Sequence, residues 1–183
     1  GSGILAIIFS NKRIILLLLK EKLIDIKTII NFFVDSSDTL KFFCEELQKG
    51  DKNWFETQKS FYPEIVDFLK NFKKETHQQF REEGQNHDLF ARTIRKDDAI
   101  RLQELVSLNN HSFNLPLNSS PYDCLNDSVK TAKSIEYAAL FGSISSFRYL
   151  WMCGAADSSP NLLKFAIAGG DYDIIHITEG KKY

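Results

Sequence analysis

Apolar residues along this chain recur at helical spacing, and no segment alternates apolar and polar positions with the period of a strand. ILAIIF (4–9) and KRIILLLLKE (12–21) read as two short helices parted at Ser10-Asn11. Residues 26–34 and 38–48 read as a second pair, parted at Ser36-Ser37, whose hydroxyls suit a helix N-cap. Gly50-Asp51 marks a turn. In FYPEIVDFLKNF, Pro63 fits a first helical turn, where its missing N–H costs nothing. Ile65, Leu69 and Phe72 follow at i, i+4 and i+7, one apolar face. This helix is expected to run on through KKETHQQFREE, a solvated charged stretch, to Gly84. SLNNHSFNLPLNSS (107–120) is rich in Asn and Ser and reads as a loop, with Ser120-Pro121 starting a short helix. A loop of this length inside a compact array marks an insertion or a functional segment.

The pattern also repeats. Ala138, Gly142 and Phe147 recur as Ala166, Gly170 and Ile175, each 28 residues later. Ile135 and Leu163 stand seven residues before the two glycines. A third copy has Asp97 in the glycine's place, with Phe90, Ile94, Leu102 and Leu105 in the apolar slots. A weaker fourth is centred on Asn11. The next residue is Ser143, Asp171 or Asp98, each a good N-cap, and Gly142 and Gly170 suit the left-handed turn that ends a helix. Each copy thus reads as helix, tight turn, capped second helix. Ala138 and Ala139 are read as letting the two helices of one hairpin touch. One hairpin cannot bury its apolar face alone, whereas stacked hairpins can. The fold class expected is all-α, an α-solenoid of stacked helix hairpins.

SIEYAALFG followed by FRYLWMCGA resembles an ankyrin repeat, keeping Ala138-Ala139-x-x-Gly142 and the closing Gly154-Ala155. The usual Thr-Pro-Leu-His slots hold Lys133-Ser134-Ile135-Glu136, so the histidine that ties adjacent repeats together is replaced. The short spacing implies trimmed fingers between repeats. FYPEI, IRKDDAIRLQELVS, SIEYAALFGSISSFRYL and LLKFAIAGGDYDIIH, in that order, are similar to the divergent ankyrin-repeat proteins abundant in parasitic protozoa, trichomonads especially. These join a helical N-terminal region of unknown function to degenerate repeats. The organisation implied is helix hairpins over 4–50, a connecting long helix over 51–86, and ankyrin-like repeats over 87–183. A 107–130 insertion interrupts the repeats, and the array is expected to be truncated at HITEGKKY, without a polar cap. The resemblance further implies a concave protein-binding surface to which the two residues before each turn contribute. These are Arg95 and Lys96, Leu140 and Phe141, and Ala168 with Gly169. For Leu140 and Phe141 two readings stand: packing against the preceding hairpin or beneath the insertion, or an apolar anchor for a partner.

Composition narrows the function classes. Hydrophobic residues make up 43% of the 183, enough for a packed core, and 15 Phe with 9 Gly and 4 Pro suit regular structure. A net charge of −1 argues against a nucleic-acid binder or an electrostatic membrane binder. Cys44, Cys124 and Cys153 are odd in number and form no CxxC pair, which argues against a zinc site or a disulfide framework and for a reducing, cytoplasmic setting. Asn11-Lys12-Arg13 interrupts the apolar start well short of the roughly 20 residues that span a bilayer. The opening Gly1-Ser2-Gly3 reads as an expression scar. His77, His87, His111 and His176 are scattered, and Asp97-Asp98 reads as turn and cap rather than metal pair. No phosphate-loop, dinucleotide or nucleophile-elbow motif occurs. No catalytic residue, cofactor or metal is expected. The function expected is a non-catalytic scaffold binding proteins, with self-assembly as the alternative.

Overall fold

The structure is a computed structural model that describes residues 11–32, 34, 36–109, 116–123 and 132–180. The helix expected over 4–9 and much of the 107–130 insertion lie outside the described residues. Those described are all-helical: they form thirteen α-helices and one 3-10 turn, with no strand among them. The chain divides into two compact units, Gly1–Asn86 with Ser120–Asn126, and His87–Ser119 with Asp127–Tyr183.

The first unit contains α1 (Lys12–Lys20), α2 (Ile26–Phe32), α3 (Ser37–Phe42), α4 (Cys44–Gly50), α5 (Lys52–Phe61), α6 (Glu64–Lys70) and α7 (Lys74–Glu83). Asn11 caps α1, its carboxamide oxygen accepting from the Arg13 and Ile14 N–H groups at 3.0 and 3.4 Å. Ser36 caps α3 through the Thr39 N–H at 3.5 Å. The single helix expected over 38–48 is instead two, broken at Phe43. Successive residues of an uninterrupted helix point about 100° apart. The break lets Phe42 and Phe43 both be fully buried, their rings edge to face at 4.9 Å.

A second correction concerns the helix from Pro63 to Gly84, which stops at Lys70 and restarts at Lys74. The Asn71 carboxamide donates to the Asp67 carbonyl at 3.1 Å and closes α6. Phe72 turns inward, 5.9 Å from the Phe68 ring and 4.9 Å from that of His77. Residues 124–130, over which the expected short helix would run, lie outside those described, and it does not start at Ser120-Pro121. These two residues instead make a turn in which the Tyr122 N–H donates to Ser120 Oγ at 3.3 Å and Tyr122 is buried. Ile15, Ile29, Leu40, Phe42, Leu47, Phe55 and Ile65 form the centre of this unit's core.

The second unit contains three helix pairs: α8 (Leu89–Arg95) with α9 (Ala99–Asn109), α10 (Ser134–Leu140) with α11 (Ile144–Met152), and α12 (Leu162–Gly169) with α13 (Tyr172–Glu179). First helices pack on first helices, α8 on α10 and α10 on α12. Second helices pack on second helices, α9 on α11 and α11 on α13. The turns inside the pairs share one conformation, with positive φ at Asp97 (54°), Gly142 (64°) and Gly170 (74°). Aspartate is among the few non-glycine residues that take this region readily, which is why Asp97 can stand in the glycine's slot.

Two details differ from the expected turn chemistry. Ser143 precedes α11, but its side chain makes no capping bond. The cap comes from the preceding pair instead: the Asp97 carboxylate accepts from the Ser145 and Ser146 N–H groups at 3.1 and 2.8 Å. Asp98 and Asp171 cap their own helices, through Arg101 and Ile174 at 2.9 Å each. The small residues, read as joining the two helices of one hairpin, make their tightest approach between α10 and α12. A Cβ at Gly169 would lie 2.2 Å from the Ala139 carbonyl oxygen and 2.8 Å from that of Leu140. Glycine is the one residue that fits this crossing.

Candidate partner-binding surface

The sequence-predicted residues fall at the C-terminal ends of three neighbouring first helices. Arg95 ends α8 and Lys96 is its C-cap, Leu140 ends α10 and Phe141 is its C-cap, and Ala168 lies in the last turn of α12. The packing of α8 on α10 on α12 brings these ends into one row. Their exposure then separates them. Lys96 and Ala168 are exposed, whereas Arg95, Leu140 and Phe141 are half-buried.

Phe141 is held on two sides. The Arg95 guanidinium lies over its ring, 3.9 Å from the centroid, and the buried Tyr137 ring is 4.6 Å away. A guanidinium stacked on an aromatic face is attracted by the ring quadrupole and gives up little hydration. Phe141 therefore joins one helix pair to the next. Of the two readings open for it, packing is the one the geometry favours.

Charge is distributed unevenly around this row. On α8, Leu89, Arg92 and Lys96 fall at i, i+3 and i+7 and are all exposed. On α12, Lys164, Ile167 and Ala168 are exposed at i, i+3 and i+4. Between them α10 is buried from Ser134 to Ala139. The one acid within the three first helices is Glu136. It is buried, accepting from the Lys133 N–H at 2.9 Å and from the Ser159 hydroxyl. The aspartates in the turns are engaged in caps. The exposed charge of the first helices is thus uniformly basic, with Leu89 and Ile167 as apolar points beside it. Part of the basic charge acts within the molecule, since Arg92 and Arg95 sit in the last turn of α8, where cations favour the helix dipole.

The first unit assembles a polar cluster that the sequence did not signal. His77 is buried, with Nδ1 2.9 Å from the Tyr122 hydroxyl and Nε2 3.9 Å from Cys44 Sγ. A thiol beside an imidazole suggests a nucleophilic pair, but the electrostatics oppose it. Burial pushes the Cys44 thiol up to about 12, and burial together with the nearby Arg81 cation lowers His77 to about 4. Both groups are neutral near pH 7, and a neutral buried thiol is a poor nucleophile. Tyr122 is likewise raised to about 12 by burial. Next to this trio, Arg81 is buried, its Nη1 donating to the Phe42 carbonyl at 3.2 Å and to both Glu46 oxygens at 2.9 Å.

No local signal could have linked these residues, because His77 and Tyr122 are 45 positions apart. Among the described residues no group of His, Cys, Asp and Glu converges as a metal site, and no helix is long and apolar enough to cross a membrane. Comparison with known proteins finds no matching family model, no similar curated protein and no similar solved structure.

Proposed function

We propose that the second unit is a non-catalytic protein-interaction module, an ankyrin-like solenoid with trimmed fingers whose first-helix side receives an acidic segment of a partner protein. The carrying observation is the like-on-like packing of three helix pairs, which lines up Arg95, Lys96, Leu140 and Ala168 beside exposed Arg92 and Lys164. Glu136 supports the ankyrin-like reading. It occupies the slot where the resemblance leaves a histidine missing, and it accepts a hydrogen bond from Ser159, which precedes the next helix pair. Like-signed exposed charge with isolated apolar points steers an oppositely charged partner and fixes its register. The free thiols of Cys44 and Cys153 suit a reducing, cytoplasmic setting.

Hydrogen exchange on the complex with a captured partner tests this reading. Protection concentrated on α8 and α12 supports it, and protection confined to α9, α11 and α13 refutes it. A second reading, self-assembly, is favoured by the exposed apolar residues of the second helices, Ile100, Leu108, Met152 and Tyr172. Concentration-dependent mass in light scattering, abolished by Met152→Lys, would support it in place of partner binding.

A further inference from the structure

The first unit holds a groove of about 710 Å³, bordered by α1, α4 and α7, to which the interaction reading assigns nothing. The volume lies within the range of small-molecule sites. Its lining separates by chemistry. Ile14, Leu16 and Leu17 supply an apolar wall, and Leu17 is 56% exposed although it is large and hydrophobic. Arg13, Lys20 and Lys49 are exposed and form no ion pair among the described residues. Two of the groove's carboxylates are already countered. Glu46 is held by Arg81, and Glu45 lies 3.6 Å from Arg81 Nη2 and 3.7 Å from Lys74 Nζ. Three uncompensated cations therefore face one remaining acid, Glu82. Arg81 is buried, and among the described residues neither its Nε–H nor the Glu45 Oε1 atom has a hydrogen-bond partner.

We propose that this groove binds an amphiphilic organic anion, with its phosphate or carboxylate head among Arg13, Lys20 and Lys49 and its apolar body along Ile14, Leu16 and Leu17. An inorganic ion would leave the apolar wall wet, and a neutral apolar molecule would leave the cations without a partner. The two parts of the lining are used together only by a ligand that carries both. Head and body each contribute to affinity, so removing either weakens binding about ten-fold or more.

Calorimetric titration of the full chain with octyl phosphate, octanoate, inorganic phosphate and octanol, all below micellar concentrations, tests the site. Octyl phosphate and octanoate distinguish the two anion sources. Saturable one-to-one binding of at least one of them is expected, with inorganic phosphate and octanol weaker by about ten-fold or more. Lys20→Glu combined with Lys49→Glu should weaken that binding by about ten-fold or more with an unchanged circular dichroism spectrum. Absence of saturable binding by both amphiphiles overturns the proposal. So does octanol or inorganic phosphate binding as tightly as the better amphiphile, or wild-type affinity in the charge-reversed protein.

Discussion

The two units achieve order by different means. In the second, the same device recurs: a turn with positive φ, an aspartate cap, and a first helix lying on the next first helix. Some of its polar groups link neighbouring pairs, as Asp97 does to α11 and Glu136 to Ser159. In the first, the described residues form seven short helices, and buried polar side chains pair across long stretches of the chain. His77 meets Tyr122, Arg81 meets Glu46, and the Lys12 ammonium donates to the Pro121 carbonyl. Repetition lets local chemistry specify a structure, whereas an irregular unit depends on particular long-range pairs. One tryptophan lies in each unit, Trp54 in α5 and Trp151 in α11, so single-tryptophan variants allow each to be followed separately by fluorescence.

The sharpest break in this contrast is expected at Arg81. Replacing it with Met leaves Glu46 and Glu45 without their main counter-charge, and the urea transition reported by Trp54 should lose about 4 kcal/mol. Next comes the crossing of α10 and α12. Gly169→Ala drives a Cβ into the Ala139 carbonyl and should cost about 3 kcal/mol in the transition reported by Trp151. The backbone of α12 must move, since no flexible side chain is there to yield.

Acid should distinguish the units as well. His77 titrates at an ordinary 6.5 when unfolded and near 4 when folded, so below 6.5 the unfolded chain binds more protons and stability falls as pH falls. Between pH 6.5 and about pH 5 the loss should be about 1.5 kcal/mol, read by Trp54 fluorescence, with His77→Asn lacking it. The smallest effect separates two candidate caps. Asp97→Gly keeps the left-handed turn while removing the cap on α11, and should cost about 1 kcal/mol, whereas Ser143→Ala should change stability by no more than a few tenths. Equal costs at the two positions would remove the cross-pair cap from the contrast.

The same distinction explains what could be read from the amino acids. Helix existence was legible almost throughout, as were the turn at Gly142 and Gly170 and the substitution of Asp97 for glycine, because helical periodicity and φ preference are local. The break at Phe43 and the stop at Asn71 were not. Both follow from burying bulky rings, Phe43 and Phe72, against residues whose proximity only the folded unit creates. Ser143 was read as a cap on residue type, and a carboxylate 46 positions earlier took the role. For the candidate surface, position within the repeat identified the row of helix ends. The covering of Phe141 by Arg95 was not legible, since it depends on how two helix pairs meet.

The interaction reading rests most directly on the basic first-helix side. Fluorescence anisotropy should be measured for a library of acidic, moderately apolar peptides against the wild type and against a variant carrying Arg92→Glu, Lys96→Glu and Lys164→Glu, at two salt concentrations. The expected result is salt-sensitive binding of a subset of peptides, weakened about ten-fold or more by the three reversals in a folded protein. Binding that is unchanged by the reversals, or no binding by any peptide, would contradict it.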